Sequence, residues 1–488
     1  MARQRKAYMV DIDGVVCVKP DVMLLGENKI ISLAEPGDAT FGVTGVNMIE
    51  ERFEREYDGE LVQIKAQGML PIEMTPEHPL LVATSKTSRS KVFFDRPIWK
   101  RAADVKVKFA LRDGDYLLLP RIKGNIEIDR IDLREFVTPH GADICKAQSL
   151  PLSLPLNDKT AWLLGLYVAE GCVIRDSSRN NSLAKNQFSL GRTELPLVER
   201  LEQTISDLGY TPLVRSQGSV TMVQLQSRVL AKAISHYCGV GACNKTVPEV
   251  ILLHKNISLL GSFLEGYLNG DGSSIPNGFA AITVSRVLAL QLQLLCARLG
   301  IPLCISMKQT DEFGYIQGRR VSLHNKYRMQ SIVTSGPRRK MKIFPDYILC
   351  PVRKVERVSY AGKVYNVRTT DNTYLACNAV VHNCEHVPNE FPEKMKTASE
   401  ISGAREWVNS RYEKGNYICF FTARLEEHRK ITEKWLDSHG FKYHQIIFGK
   451  PRGGNYHYID RTHVQATTFR GKFSPMVSET HGIEVFED

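Results

Sequence analysis

The chain has 488 residues, a formal net charge of +11 at pH 7 from 64 Lys and Arg against 53 Asp and Glu, and a mean hydropathy of −0.22. That length predicts roughly three folded units, and 24% charged residues fit neither a disordered polymer nor a membrane-embedded one. No apolar run reaches the roughly 20 residues that span a bilayer.

Residues 1–6 are basic but lack the apolar core of a signal peptide. Eleven scattered cysteines argue for a reducing interior, so the expected location is cytoplasmic and no membrane partner is expected. Cys238 and Cys243 have no second pair at zinc spacing and read as structural. The positive balance suits a polyanionic partner.

From residue 7 an apolar strand leads into Asp11, Asp13 and Gly14. Alternate side chains of a strand point the same way, so the two carboxylates share a pocket at its carboxyl end. One could attack phosphorus while the other shuttles a proton, with Mg²⁺ relieving their repulsion. Asp-x-Asp-Gly-Val resembles motif one of the haloacid-dehalogenase (HAD) phosphohydrolases.

At Cys17 the text changes to short strands and turns, among them Glu35-Pro36-Gly37-Asp38, then Met74-Thr75-Pro76-Glu77-His78-Pro79-Leu80. A linker with Pro139, Pro151 and Pro155 occupies 126–158. The next stretch repeats itself: Leu163 to Gly171 recurs loosely as Leu264 to Gly272. Both copies are helix-like and carry small residues at i and i+4 (Gly165 with Ala169, Gly266 with Gly270), on one face. Each ends in an acid and a glycine, so Glu170 and Asp271 would emerge together at the foot of a close-packed pair. After each comes a strand and a helix ending at Leu208-Gly209 or Leu299-Gly300. A basic run, Gly336-Pro337-Arg338-Arg339-Lys340, marks the return.

Val364 to Val367 through Tyr374 to Ala376 predicts a β-hairpin, and Val380-Val381 leads into His382-Asn383-Cys384. The Asn383 amide can cyclise onto its own carbonyl carbon, His382 can donate a proton, and Cys384 offers a sulfur nucleophile. A strand over 417–421 ending in Thr422 follows, then an amphipathic helix from about 426 to 439 stopped by Gly440. Ile446 to Pro451 contains Lys450, and Tyr458-Ile459 ends in Asp460. Strand-Thr, Lys, strand-Asp is the order of HAD motifs two to four, with Thr422 and Lys450 in the phosphate-binding places. Arg461 stands where that family usually has a second acid.

Cysteine at the start of an insert and His-Asn before Cys at its end make residues 17–383 resemble an intein. The resemblance implies an all-β, horseshoe-like Hint splicing domain in two parts, 17–125 and 345–383. It also implies that Cys17 attacks the Val16 carbonyl with Thr75 and His78 holding the scissile peptide, Cys384 captures the acyl group, and Asn383 cyclises beside His382. No cofactor is implied for splicing. Relatives often carry Asp at the position of Asn366 and His near Asn372.

The repeat over 159–335 is similar to the LAGLIDADG homing endonucleases. That similarity implies an α+β domain with pseudo-two-fold symmetry, double-stranded DNA as partner, Mg²⁺ held by Glu170 and Asp271, and Lys245 assisting the attacking water. Residues 1–16 and 384–488 then form a split α/β, HAD-like domain. The expected protein is therefore multi-domain: a self-splicing precursor with an embedded DNA endonuclease, whose joined flanks make a small Mg²⁺-dependent phosphatase for a phosphate ester, with Asp11, Asp13 and Asp460 at its metal. A splicing insert that only binds DNA, or an intact chain acting as a binding protein, stays open at this point.

Overall fold

The computed structural model describes residues 7–11, 17–88, 91–108, 113–137, 152–310, 313–316, 319–331, 341–382, 404–422, 424–449, 467–469 and 473–475. Contacts divide the chain into two compact units, residues 1–15 with 384–488 and residues 16–383. Strand β1 (Ala7–Asp11) belongs to the first of these.

The larger unit opens with β2 (Val46–Ala66), β3 (Ile72–Met74), β4 (Pro79–Ser88), β5 (Ile98–Arg101) and β6 (Gly114–Pro120). All of β6 is buried, as its Tyr116-Leu117-Leu118-Leu119 run requires of a strand covered on both faces. Part of the expected linker is ordered. Arg130–Asp132 pairs antiparallel with Ser153–Pro155, because Ile131 and Leu154 are apolar enough to enter the core.

Next comes a duplicated unit. Its first copy is α1 (Asp158–Glu170), β7 (Gly171–Asp176), β8 (Ser182–Gly191), α2 (Leu195–Asp207), β9 (Pro212–Gln217) and β10 (Val220–Leu225), followed by α3 (Arg228–Cys238). The second is α4 (Ile257–Asp271), β11 (Gly272–Ile275), β12 (Gly278–Thr283), α5 (Arg286–Arg298), β13 (Leu303–Lys308) and β14 (Lys326–Ser331). The sheets run β7–β8–β10–β9 and β11–β12–β14–β13, the same order twice. Asn157 and Asn256 cap the N-termini of α1 and α4 by accepting from Thr160 and Ser258 main-chain N–H groups. Gly209 and Gly300, at φ 84° and 75°, end α2 and α5 in the left-handed turn that glycine adopts without strain.

The chain returns as β15 (Tyr347–Thr369), β16 (Thr373–Ala376) and β17 (Ala379–His382). The sheet order is β16–β17–β4–β6–β15–β2, with β2 and β15 paired antiparallel from Ala66↔Val352 to Ile49↔Thr369. Here the sequence expectation needs correction. Val364–Val367 lies within β15 against β2, so the hairpin partner of β16 is β17. Cys377 and Asn378, at φ 48° and 70°, make the two-residue turn between them. One connected apolar core runs from Val18 and Phe41 through Trp162 and Leu295 to Val381.

In the smaller unit, α6 (Ala404–Glu413), β18 (Tyr417–Phe421), α7 (Arg429–Ser438) and β19 (Gln445–Ile447) join β1. The order is β1–β18–β19, all parallel, with Ala7↔Tyr417 and Asp11↔Phe421 in register. Val408, Ile418, Phe420, Leu436 and Ile446 form its core. Among the described residues no helix is long and apolar enough to cross a membrane.

Candidate functional site

Thr75 to His78 is the turn between β3 and β4, closed by the His78 main-chain N–H donating to Thr75 O at 3.0 Å. Cys17 lies against this turn. Its N–H donates to Thr75 Oγ1 at 3.0 Å, and its carbonyl accepts the Thr75 N–H at 2.9 Å. Val18 then bridges Met74 on one side and Tyr365 of β15 on the other, which holds the segment in extended form. Cys17, Thr75 and His78 are all buried.

His382 reaches the same neighbourhood from the far end of the unit, because Val381 pairs with Leu80 of β4. Burial holds the His78 imidazole down to about 3, the neighbouring His382 adds to the effect, and the Cys17 main chain opposes it. His78 is therefore neutral near pH 7. Neither of its ring nitrogens has a hydrogen-bond partner among the described residues. The Tyr374 ring stands edge-on to it at 6.4 Å.

Asn366 is fully buried beside Tyr365, and its Oδ1 accepts the Val367 N–H at 2.8 Å. Asn372 sits in the turn between β15 and β16 at φ 60°. Val16, Asn383 and Cys384 lie outside the described residues. The sequence reading missed Trp99, whose ring is 4.8 Å from that of His382. No motif or periodicity marks it.

A second cluster forms where α1 and α4 cross. Gly165 and Gly266 are the contact points. A Cβ at Gly165 would lie 2.0 Å from Phe263 O, and one at Gly266 would lie 2.0 Å from Trp162 O. Only glycine permits that approach. At the foot of the pair, a Cβ at Gly270 would meet Glu170 Cγ at 2.6 Å, so the two helix ends, and Glu170 with Asp271, come side by side. Both helices pass straight into a strand at Gly171 and Gly272.

Burial and the Glu170 charge push the Asp271 carboxyl up to about 6, and burial with Glu194 raises Glu170. Lys245 is buried and donates from Nζ to Tyr167 O at 2.7 Å and Gly171 O at 2.9 Å, over the Tyr167 ring. Burial brings its ammonium down to about 8. The lysine expected to act on a water is thus held by the carbonyls at the end of α1. Two oxygen-donor carboxylates that repel one another suit a hard divalent cation. Among the described residues no group of three or more His, Cys, Asp or Glu side chains forms a metal cage.

In the smaller unit Thr422 is buried just beyond β18. Its N–H donates to Ile447 O at 2.9 Å, and its Oγ1 accepts the Arg424 N–H at 3.2 Å. Asp11 ends the neighbouring strand β1. Asp13, Lys450 and Asp460 lie outside the described residues.

No protein-family model matches the chain. Over 75% of its length it is 29% identical to the ATP-dependent DNA helicase Hel308 of Thermococcus kodakarensis, and over 78% it is 25% identical to an iron-sulfur cluster assembly SufBD family protein of Mycobacterium tuberculosis. Over 44% it is 28% identical to the replication factor C small subunit of Methanocaldococcus jannaschii. The matched regions are 36%, 44% and 11% of those proteins, so the chain spans less than half the length of each. Among solved structures, the homing endonuclease I-DmoI in complex with DNA and Ca is similar over 36% of this chain and 84% of its own, at 14% identity and a TM-score of 0.28. The homing endonuclease I-WcaI bound to its DNA recognition sequence is similar over 41% and 87%, at 10% identity and a TM-score of 0.25.

Proposed function

We propose that residues 17–383 excise themselves and join Val16 to Cys384. The observation that carries this is the meeting of Cys17, Thr75, His78 and His382 at the start of β4, although 365 positions separate the first from the last. The division of the chain at 15/16 and 383/384 supports the same reading. So does the parallel pairing of β1 with β18, which makes one sheet from the two flanks. The relatives add a further argument. A helicase, an iron-sulfur assembly protein and a replication factor subunit share no named activity, as expected if the likeness lies in an insert carried by unrelated hosts.

In the first step the Cys17 sulfur attacks the Val16 carbonyl carbon. The C–N bond breaks as the C–S bond forms, and the thiol proton ends on the Cys17 nitrogen. Thr75 Oγ1 orients that nitrogen through its N–H. Neutral His78 is the group able to pass the proton, since a buried imidazole near pH 7 has one N–H to give and one lone pair to receive. Cys384 then takes the acyl group and frees the Cys17 thiol. The Asn383 side-chain nitrogen attacks its own carbonyl carbon, breaking the bond to Cys384 while His382 protonates the leaving amine. An S-to-N shift restores an ordinary peptide bond.

The helix-end carboxylates support a second activity of the same insert, cleavage of double-stranded DNA. Glu170 and Asp271 would hold Mg²⁺, which supplies Lewis-acid stabilisation of a phosphate oxygen when bound. The part of Lys245 is to fix the end of α1, and so the Glu170 backbone, through its two carbonyl bonds. The joined flanks are proposed to act on a phosphate ester, with Thr422 and Lys450 as phosphate ligands and Mg²⁺ at Asp11, Asp13 and Asp460.

The deciding test is mass spectrometry of freshly expressed chain. A peptide spanning Val16–Cys384 is expected, and Cys17→Ala with Asn383→Ala should leave full-length chain. A folded wild-type chain that never yields the joined peptide overturns the reading. Cleavage of DNA carrying the uninterrupted gene, in Mg²⁺, tests the nuclease. A phosphate-ester panel tests the joined flanks.

A further inference from the structure

We infer that Trp99 is a positioning residue for His382, an inference that rests on the splicing reading. Strand β4 has β17 on one edge and β5 on the other, with Leu80 opposite both Val381 and Lys100. His382 therefore falls opposite Pro79, and Trp99 opposite Leu81. Alternation along the strands puts His382 and Trp99 on one face, as diagonal neighbours across β4. Their rings meet edge-on, 4.8 Å between centroids at 84°.

Burial alone does not fix where Trp99 points its ring. It remains 39% exposed and the adjacent Ile98 51%, so β5 is a poorly covered strand. What its indole does is limit the rotation of an imidazole on the last residue of β17. That matters for chemistry at the next peptide bond. His382 must deliver a proton to the amine leaving from Asn383, and an imidazole held against the Trp99 ring spends more of its time in one orientation. His78, in the same cluster, is neutral and buried. Trp99 is thus a ring wall against which the His382 imidazole rests.

The two half-reactions separate this role from general support of the fold. In a Cys17→Ala chain, cleavage after Asn383 is followed alone. In an Asn383→Ala chain, thiol-induced cleavage before Cys17 is followed alone. Trp99→Ala is expected to slow cleavage after Asn383 about tenfold while leaving thiol cleavage unchanged, and Trp99→Phe is expected to restore the first rate. Equal slowing of both steps, no slowing of either, or failure of Trp99→Phe to rescue overturns the inference. If Cys17→Ala chain with native Trp99 never cleaves after Asn383, the splicing reading fails instead. The Trp99 contact is then judged by NMR of the histidine-labelled chain. The ring-current shift of the His382 ring protons should vanish in Trp99→Ala, and an unchanged shift overturns the contact itself.

Discussion

Helices α2 and α5 occupy the same place in the two repeats, have the same length of 13 residues, and end at glycines of the same conformation. Val198, Leu201, Thr204 and Ile205 of α2 are buried, and so are their counterparts Ala289, Leu292, Leu295 and Cys296 of α5. The faces opposite differ completely. Glu199, Arg200 and Gln203 meet solvent on α2, while Leu290, Gln291 and Leu294 on α5 are covered. The cover comes from the elements that carry the Cys17 and His382 cluster. Asn378, in the β16–β17 turn, donates to Leu290 O and to Gln293 Oε1, both at 2.9 Å. Gln293 donates to Gly68 O and Leu303 O. Arg286 reaches Asp21 O and the Cys377 sulfur, and Arg121 closes the C-terminus of α5 through Ala297 O and Arg298 O. The second repeat is therefore built into the fold that holds His382, while α2 of the first keeps a free face.

That comparison breaks most sharply at position 290. Leu290→Glu gives α5 the acid that α2 carries at Glu199, now in a dry interior, and should destabilise the larger unit by at least about 4 kcal/mol in denaturant unfolding. The mirror change, Glu199→Leu, should stay within about 0.5 kcal/mol. Gln293→Ala strands the Gly68 and Leu303 carbonyls and the Asn378 amide, and should cost about 2–4 kcal/mol. It should also slow cleavage after Asn383, since the hairpin carrying His382 loses its anchor. Glu202→Ala, at the matching place in α2, should do neither.

The carboxylate site sharpens the contrast on a smaller scale. Lys245→Met removes the donor shared by Tyr167 O and Gly171 O and should destabilise by about 1–3 kcal/mol, with DNA cleavage lost as the end of α1 loosens. Asp271→Asn should act in the opposite direction on stability. The folded chain holds the Asp271 proton up to about pH 6, above the ordinary carboxylate range. The native state thus binds more proton than the unfolded one between about pH 4 and 6, and loses stability as pH rises through that window. At pH 7.5 the asparagine variant should melt slightly higher, by about 1 kcal/mol or less because the side chain is partly in water. The difference should disappear near pH 4 in calorimetry, and DNA cleavage should be absent.

Much of this was legible along the chain. The duplicated pair of small residues four apart, followed each time by an acid and a glycine, announced two packed helices, and the structure has them crossing at Gly165 and Gly266. Tyr417 to Phe421 was legible as a strand from its apolar run. The leucines spread around α5 also carried a signal, because a helix with apolar residues on several sides has to be covered. Its partner was not legible, since nothing near residue 290 names the turn at Cys377 and Asn378.

What the sequence by itself determined is the local chemistry and period: which residues can attack, cyclise or hold a cation, and where helices and strands repeat. These follow from side-chain type and from spacings of a few residues. The tertiary structure alone decided which distant pieces meet. It pairs β16 with β17 rather than with β15, puts Lys245 on the carbonyls that end α1, and stands Trp99 beside His382. Each is set by which strand edge or buried carbonyl is left to satisfy once the rest has packed, and that competition has no trace in local spacing.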